Sequence, residues 1–347
     1  MATIKTALLS FGMSGRVFHA PFLNAHPGFE LAGSWERSQQ VIGQYHPGTT
    51  SYNSLEELLG DPTIELVVVN TPTATHYEYA RQALEHGKHV LVEKAFTTDA
   101  AEAAALLDLA QNADRKLAVF QNRRWDSDFL AVRDVVQRGV LGDIVEANLA
   151  FVRYNPELSP KAHKETPGPG AGIVRDLGPH VIDQALVLFG MPEAVFADIG
   201  ITRQGSAVDD YFDILLRYPD QRVHVKGGYF FRQPVPDYAL FGKLGAFLKT
   251  RSDVQEAQLD SGMMPDDPGY GREPDGAAGQ LFTDDTDRTG RREVPSPRGD
   301  YMAFFDALHR AIAQDGIEPV TASDGLWVME IIDAAFRSNE TGRLTSV

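Results

Sequence analysis

Two acids and a histidine stand close together in "GIVRDLGPHVIDQALVLFG", residues Gly172–Gly190: Asp176, His180 and Asp183, four and three residues apart. Imidazole changes charge near neutral pH, so a histidine held beside an acid can take or give a proton. Gly178 and Pro179 suit a cap and a first helical residue, and Gly190 suits the far end. This spacing predicts a helix from about Pro179 to Phe189. His180 would then meet the positive end of the helix dipole, which favours the neutral base, while a nearby aspartate opposes that effect and orients the ring. Two plainer readings use the same residues. Asp176 can cap the helix with His180 as a core residue, or Asp176, His180 and Asp183, joined by His163, can be weighed as a metal set. The metal reading is the weakest, and no metal is assigned.

A second chemical site opens the chain. "LLSFGMSGRVFHAPF" puts Gly12 and Gly15 between a strand and a helix, as in the dinucleotide fingerprint G-x-G-x-x-G, with Ser10 in place of its first glycine. Gly12 lets the backbone approach a pyrophosphate, Gly15 lets helix and strand pack closely, and the amides around Phe11, Met13 and Ser14 suit phosphate oxygens. Glu36 ends the next strand where a ribose-binding acid belongs, which leans the reading toward NAD; Arg37 and Ser38 follow it, and such a pair can hold the 2′-phosphate of NADP. Strand ends further along place Thr71, Pro72 and His76, then Glu93 and Lys94, then Asn122 beside the same cofactor. A lysine at such a strand end can hydrogen-bond a substrate oxygen and stabilise charge on it; it can equally be a surface residue.

The elements that must position these groups are legible as patterns. "IKTALLS", "FELAGSW", "IELVVVN", "KHVLVEK" and "KLAVFQN" are almost continuously apolar, as strands covered on both faces are, and helical patterns alternate with them. That is a doubly wound α/β domain, residues 1–122, of Rossmann type. After a helix near Asp126–Arg138 come long strand-like runs with few helices between them. Residues 123–347 therefore read as an α+β domain on a large, mainly antiparallel sheet. Residues 252–300 are rich in Gly, Pro and acids and read as a long surface excursion, and two helices close the chain.

Composition narrows the partners. The chain has 347 residues, a net charge of −16 and no cysteine. Such a charge opposes binding to nucleic acid or an anionic membrane through a general basic surface, and no apolar run approaches the roughly 18 residues of a membrane span. No cysteine means no disulfide, thiolate metal site or cysteine nucleophile. A cytoplasmic protein is the simplest expectation.

Four stretches, "SFGMSG", "NTPTATHYEYARQALEHGKHVLVEKAF", "QNRRWDSDF" and "GPGAGIVRDLGPHVIDQALVLFG", resemble the Gfo/Idh/MocA oxidoreductases in order and spacing, over essentially the whole chain. "FGMSGRVFHAPF" with "QNRRWDSDF" is most similar to the branch containing scyllo-inositol 2-dehydrogenase. The resemblance implies hydride transfer between NAD or NADP and a secondary hydroxyl of a polyol or sugar. His180 would be the acid/base, Asp176 would position it, and Lys94 would bind the reacting oxygen. Arg123, Tyr154 and Asp183 are the substrate-pocket candidates, with Tyr229 and Tyr238 behind them. Relatives also imply a homodimer or homotetramer built through the C-terminal sheet. Ala95 departs from the family's usual E-K-P, and a cis bond there costs a non-proline residue about 3 kcal/mol. The alternative from another class is a non-catalytic NAD(P)-sensing regulator of the same fold.

Overall fold

The computed structural model describes residues 3–160, 162–232, 235–283 and 290–347, and of residues 162 and 163 the backbone alone. The chain divides into two compact units. One comprises Met1–Asn122, Val254–Gly271 and Asp300–Leu326; the other comprises Arg123–Asp253, Arg272–Gly299 and Trp327–Val347.

The first unit is built on six strands: β1 (Ile4–Leu8), β2 (Phe29–Trp35), β3 (Thr50–Tyr52), β4 (Leu66–Val69), β5 (His89–Glu93) and β6 (Leu117–Phe120). They pair in the order β3-β2-β1-β4-β5-β6, and every pair is parallel. All four residues of β4 and of β6 are buried, the burial that parallel strands covered on both faces require. The reversal of strand order between β1 and β4 opens a crevice at their carboxyl ends, where such sheets bind ligands. An aromatic cluster anchors the later segments of this unit: Phe22 stacks on Phe305 at 5.0 Å, and Phe120 meets Phe304 edge-on at 5.0 Å.

The second unit carries nine strands: β7 (Ile144–Val152), β8 (Ala194–Gly200), β9 (Tyr211–Arg217), β10 (Arg222–Gly228), β11 (Tyr238–Gly242), β12 (Gly245–Lys249), β13 (Gly279–Thr283), β14 (Arg291–Val294) and β15 (Thr345–Ser346). Their order is β14-β13-β12-β11-β7-β10-β9-β8-β15, antiparallel except for β10 against β7. Along β9, Phe212, Ile214 and Leu216 are buried while Tyr211, Asp213 and Leu215 are only partly covered. One face of the sheet is packed and the other is open.

Two expectations change. Residues 252–300 are not an unstructured excursion: they supply the helix Gln255–Asp260 and strands β13 and β14. The short, polar β14 (Arg291–Val294) has no alternating apolar face for a pattern search to find. The predicted helix also has a forerunner. A turn of helix, Ile173–Asp176, runs almost directly into the helix Gly178–Phe189, with Leu177 between them in a right-handed helical conformation.

Candidate functional site

In the first unit the loop after β1 borders a cleft of about 190 Å³ lined by Leu9, Ser10, Phe11, Gly12, Glu36, Arg37, Ser38, Gln39, Thr71 and Pro72. Ser10 replaces the fingerprint glycine without strain, since it is not among the residues with positive φ. Its hydroxyl oxygen accepts the Gly12 amide at 3.2 Å, and its carbonyl accepts Asn70 Nδ2 at 2.9 Å. Gly15 has no such latitude: a Cβ there would lie 2.7 Å from the Ser10 carbonyl oxygen and 3.1 Å from Asn70 Nδ2. Gly12 and Met13 are exposed at the start of the helical segment. The residues fit a dinucleotide: amides at a helix start, a glycine open to solvent, and hydroxyl, amide and guanidinium groups along one cleft.

Glu36 lines the cleft, and its carboxylate is also engaged with groups of the protein. Its Oε1 accepts the Ser34 hydroxyl at 3.0 Å and the Val41 and Ile42 amides at 3.1 Å each. The carboxylate therefore caps the short helix Ile42–Tyr45. Arg37 and Ser38 stay exposed on the cleft wall.

Three residues expected along the cofactor are buried. Glu93 is 9% exposed, its Oε1 accepting the Ser14 hydroxyl and lying 2.9 Å from His19 Nε2. Burial pushes its pKa up, but the His19 ring, the Ser14 hydroxyl and the Lys94 charge outweigh this and hold it below the usual carboxylate value. His76, 1% exposed, has Nδ1 2.8 Å from the Ala95 carbonyl and Nε2 2.8 Å from the Thr71 carbonyl. Burial lowers its pKa against the pull of those two oxygens. Asn122 is 5% exposed at the end of β6. Lys94 itself is half-buried, and its peptide bond to Ala95 is cis.

In the second unit His180 lies in the first turn of the helix Gly178–Phe189, 4% exposed, with its ring 6.2 Å from that of Phe151. Asp176 accepts a hydrogen bond from Lys164 Nζ at 2.8 Å. His180 stands at the N-terminal, positive end of this helix. Leading amides of the preceding turn are consumed by Asp209: Ile173 N–H donates to its carbonyl at 2.8 Å and Val174 N–H to its carboxylate at 2.8 Å. Asp209 reaches them because Gly172, at φ +91°, has no side chain; a Cβ would sit 2.0 Å from the carboxylate oxygen.

The substrate-pocket candidates meet different partners. The Arg123 guanidinium packs over Phe151, 5.1 Å from its centroid. Asp183, 1% exposed, is gripped through both oxygens by Arg124 at 2.8 and 2.6 Å. Tyr154 is exposed under the Arg232 guanidinium. Tyr238 is fully buried, with its hydroxyl 3.2 Å from Asp128 Oδ1 and 3.1 Å from Gln184 Oε1, so it is a core residue. Tyr229 is buried too, faced by Arg153 and Arg203. Among the described residues no group of three His, Cys, Asp or Glu side chains is arranged to hold a metal ion; the His163 side chain lies outside them. No helix among the described residues is long and apolar enough to cross a membrane.

Comparison with known proteins decides the family. Residues 4–121 match the model described as oxidoreductase family, NAD-binding Rossmann fold, and residues 133–347 match oxidoreductase family, C-terminal alpha/beta domain. The chain belongs to the Gfo/Idh/MocA oxidoreductases. Scyllo-inositol 2-dehydrogenase (NADP(+)) of Bacillus subtilis is 35% identical over 341 residues, 98% of this chain and 95% of that one. A Bacillus subtilis chain solved in a triclinic crystal superposes with a TM-score of 0.94 at 34% identity, covering 99% and 98% of the two chains. An oxidoreductase from Bacillus cereus gives 0.89 at 30% identity, covering 99% of each. As a Gfo/Idh/MocA oxidoreductase, the chain is an NAD(P)-dependent enzyme whose cofactor domain is the six-stranded sheet.

Ser10 and Gln39 also line the cleft, beside the Arg37 and Ser38 pair that the sequence singles out. Polar residues directly around a fingerprint loop and after the second strand were the available signal. His19 gave none: its orientation comes from a π-helical turn, Gly15–His19, that no periodicity announces.

Proposed function

We propose that this enzyme transfers a hydride between NADP and a secondary hydroxyl of a polyol or sugar. The cleft beside Gly12, in a chain that matches an oxidoreductase family across both units, carries the reading. When bound, the nicotinamide supplies the hydride acceptor. In the oxidative direction the carbinol C–H electron pair leaves as hydride, His180 takes the hydroxyl proton and the C=O bond forms. Asp176 positions His180, and Lys94 donates to the reacting oxygen and offsets charge growing on it. Arg123, Tyr154 and Asp183 are offered as the groups that shape the substrate pocket, Asp183 through its bonds to Arg124.

NADP, and not the NAD that Glu36 first suggested, is favoured by how that carboxylate is spent. It is held by the Val41 and Ile42 amides, while Arg37 and Ser38 face the cleft. The NADP used by the Bacillus subtilis relative points the same way. We also assign the open sheet face, where Phe196 and Phe241 are exposed, to self-association into a dimer or tetramer.

The test is absorbance at 340 nm with NAD and NADP separately, against inositols, aldoses and sugar acids, with His180→Ala alongside. Reduction that disappears in the variant supports the assignment. Cofactor binding with no reduction of any substrate would favour the sensing regulator instead.

A further inference from the structure

We propose that two buried histidines clamp the Lys94 turn to the cofactor loops, making Glu93, His19 and His76 positioning residues that couple phosphate binding to Lys94. The inference rests on the cofactor reading above. Lys94 is bracketed in sequence by Glu93 and Ala95, and each neighbour is tied to a different loop of the cleft. On one side the Glu93 carboxylate takes the Ser14 hydroxyl and the His19 ring on Oε1, while its Oε2 lies 3.2 Å from the Lys94 amide. Ser14 belongs to the loop offered to the phosphates. On the other side His76 spans from the Ala95 carbonyl to the Thr71 carbonyl, both at 2.8 Å. Thr71 lines the cleft.

These are not surface contacts that water can replace. His19 is 0% exposed and His76 1%. The His19 ring packs 4.6 Å from Phe120, and its Nδ1 is buried with no hydrogen-bond partner, leaving Nε2 as its one polar link. The π-helical turn Gly15–His19 bears on the same point, because such turns are rare and recur at functional sites. In a water-poor setting an anion arriving beside Ser14 feels the Glu93 charge strongly, so the carboxylate and its donors must readjust together. Both adjustments reach the backbone on either side of Lys94.

The experiment uses ADP-ribose and its 2′-phosphate, which carry the phosphates but no nicotinamide to cover the lysine. Lys94 modification by trinitrobenzenesulfonate is followed by peptide mass spectrometry, with and without saturating fragment. In the native chain the fragment should change the Lys94 rate by about fivefold or more. Glu93→Gln and Ser14→Ala should lose that response although each is saturated with fragment; Ser14→Ala serves should Glu93→Gln not fold. Retention of the response in both variants, or none in a native chain that binds the fragment, overturns the clamp. Failure of the native chain to bind either fragment removes the cofactor reading and the clamp with it.

Discussion

The sharpest test of the cofactor reading is to separate Glu36 from Arg37. If Arg37 holds the 2′-phosphate, Arg37→Ala removes a charged hydrogen bond worth about 1.5–3 kcal/mol, or roughly tenfold to a hundredfold in Kd for NADP. NAD lacks that phosphate, and its Kd should stay within about twofold, since a surface charge change is worth only tenths of a kcal/mol there. Glu36→Gln should behave differently. Its carboxylate is engaged with the Ser34 hydroxyl and the Val41 and Ile42 amides, so the loss falls on the cap. That costs about 1 kcal/mol of stability, and Tm falls by about 2–4 °C. The ratio of NADP to NAD affinity should barely move. Cofactor titration by fluorescence, with thermal unfolding of the same samples, reads both quantities. Equal loss of both cofactors in Arg37→Ala, or a tenfold loss of NAD alone in Glu36→Gln, would refute the reasoning and return Glu36 to the ribose.

Three further outcomes follow from the geometry. Gly15→Ala places a Cβ 2.7 Å from the Ser10 carbonyl, so the loop must shift, and cofactor Kd should rise about tenfold or more by calorimetry. Gly172→Ala combines φ +91° with a 2.0 Å clash against Asp209 and frees the amides that Asp209 caps; urea unfolding should show a loss of about 2–4 kcal/mol. His89 is pushed down to about 4 from its ordinary 6.5, first by burial and then by the Arg115 and Lys116 charges, and its Nδ1 accepts the Lys116 amide at 3.0 Å. Its folded pKa lies below the unfolded one, so its contribution is complete above pH 6.5 and is lost as pH falls toward 4. After discounting for partial exposure this amounts to about 1–2 kcal/mol, and His89→Gln should flatten that part of the stability profile.

Much of this protein is written locally in its residues. The parallel sheet was legible because β4 and β6 are apolar at every position, as only doubly covered strands are. The helix Gly178–Phe189 was legible to within one residue, since proline near its start and glycine after its end follow from backbone sterics. Gly12 and Gly15 announced the tight turn after β1 for the same reason. The three-residue β3 and the polar β14 escaped, because strands so short hold their place by pairing and not by pattern. What only the tertiary structure decided is how each polar group is spent. Glu36 follows β2 where a ribose acid would stand, yet it also accepts the Val41 and Ile42 amides, five and six residues on. Asp209 takes amides of the short turn that precedes the His180 helix, and His76 and Glu93 face inward to the Ala95 carbonyl and the His19 ring. Residue type sets what a side chain can bond, but its partner is chosen by which elements packing brings within 3 Å, and that choice is distributed over the whole unit.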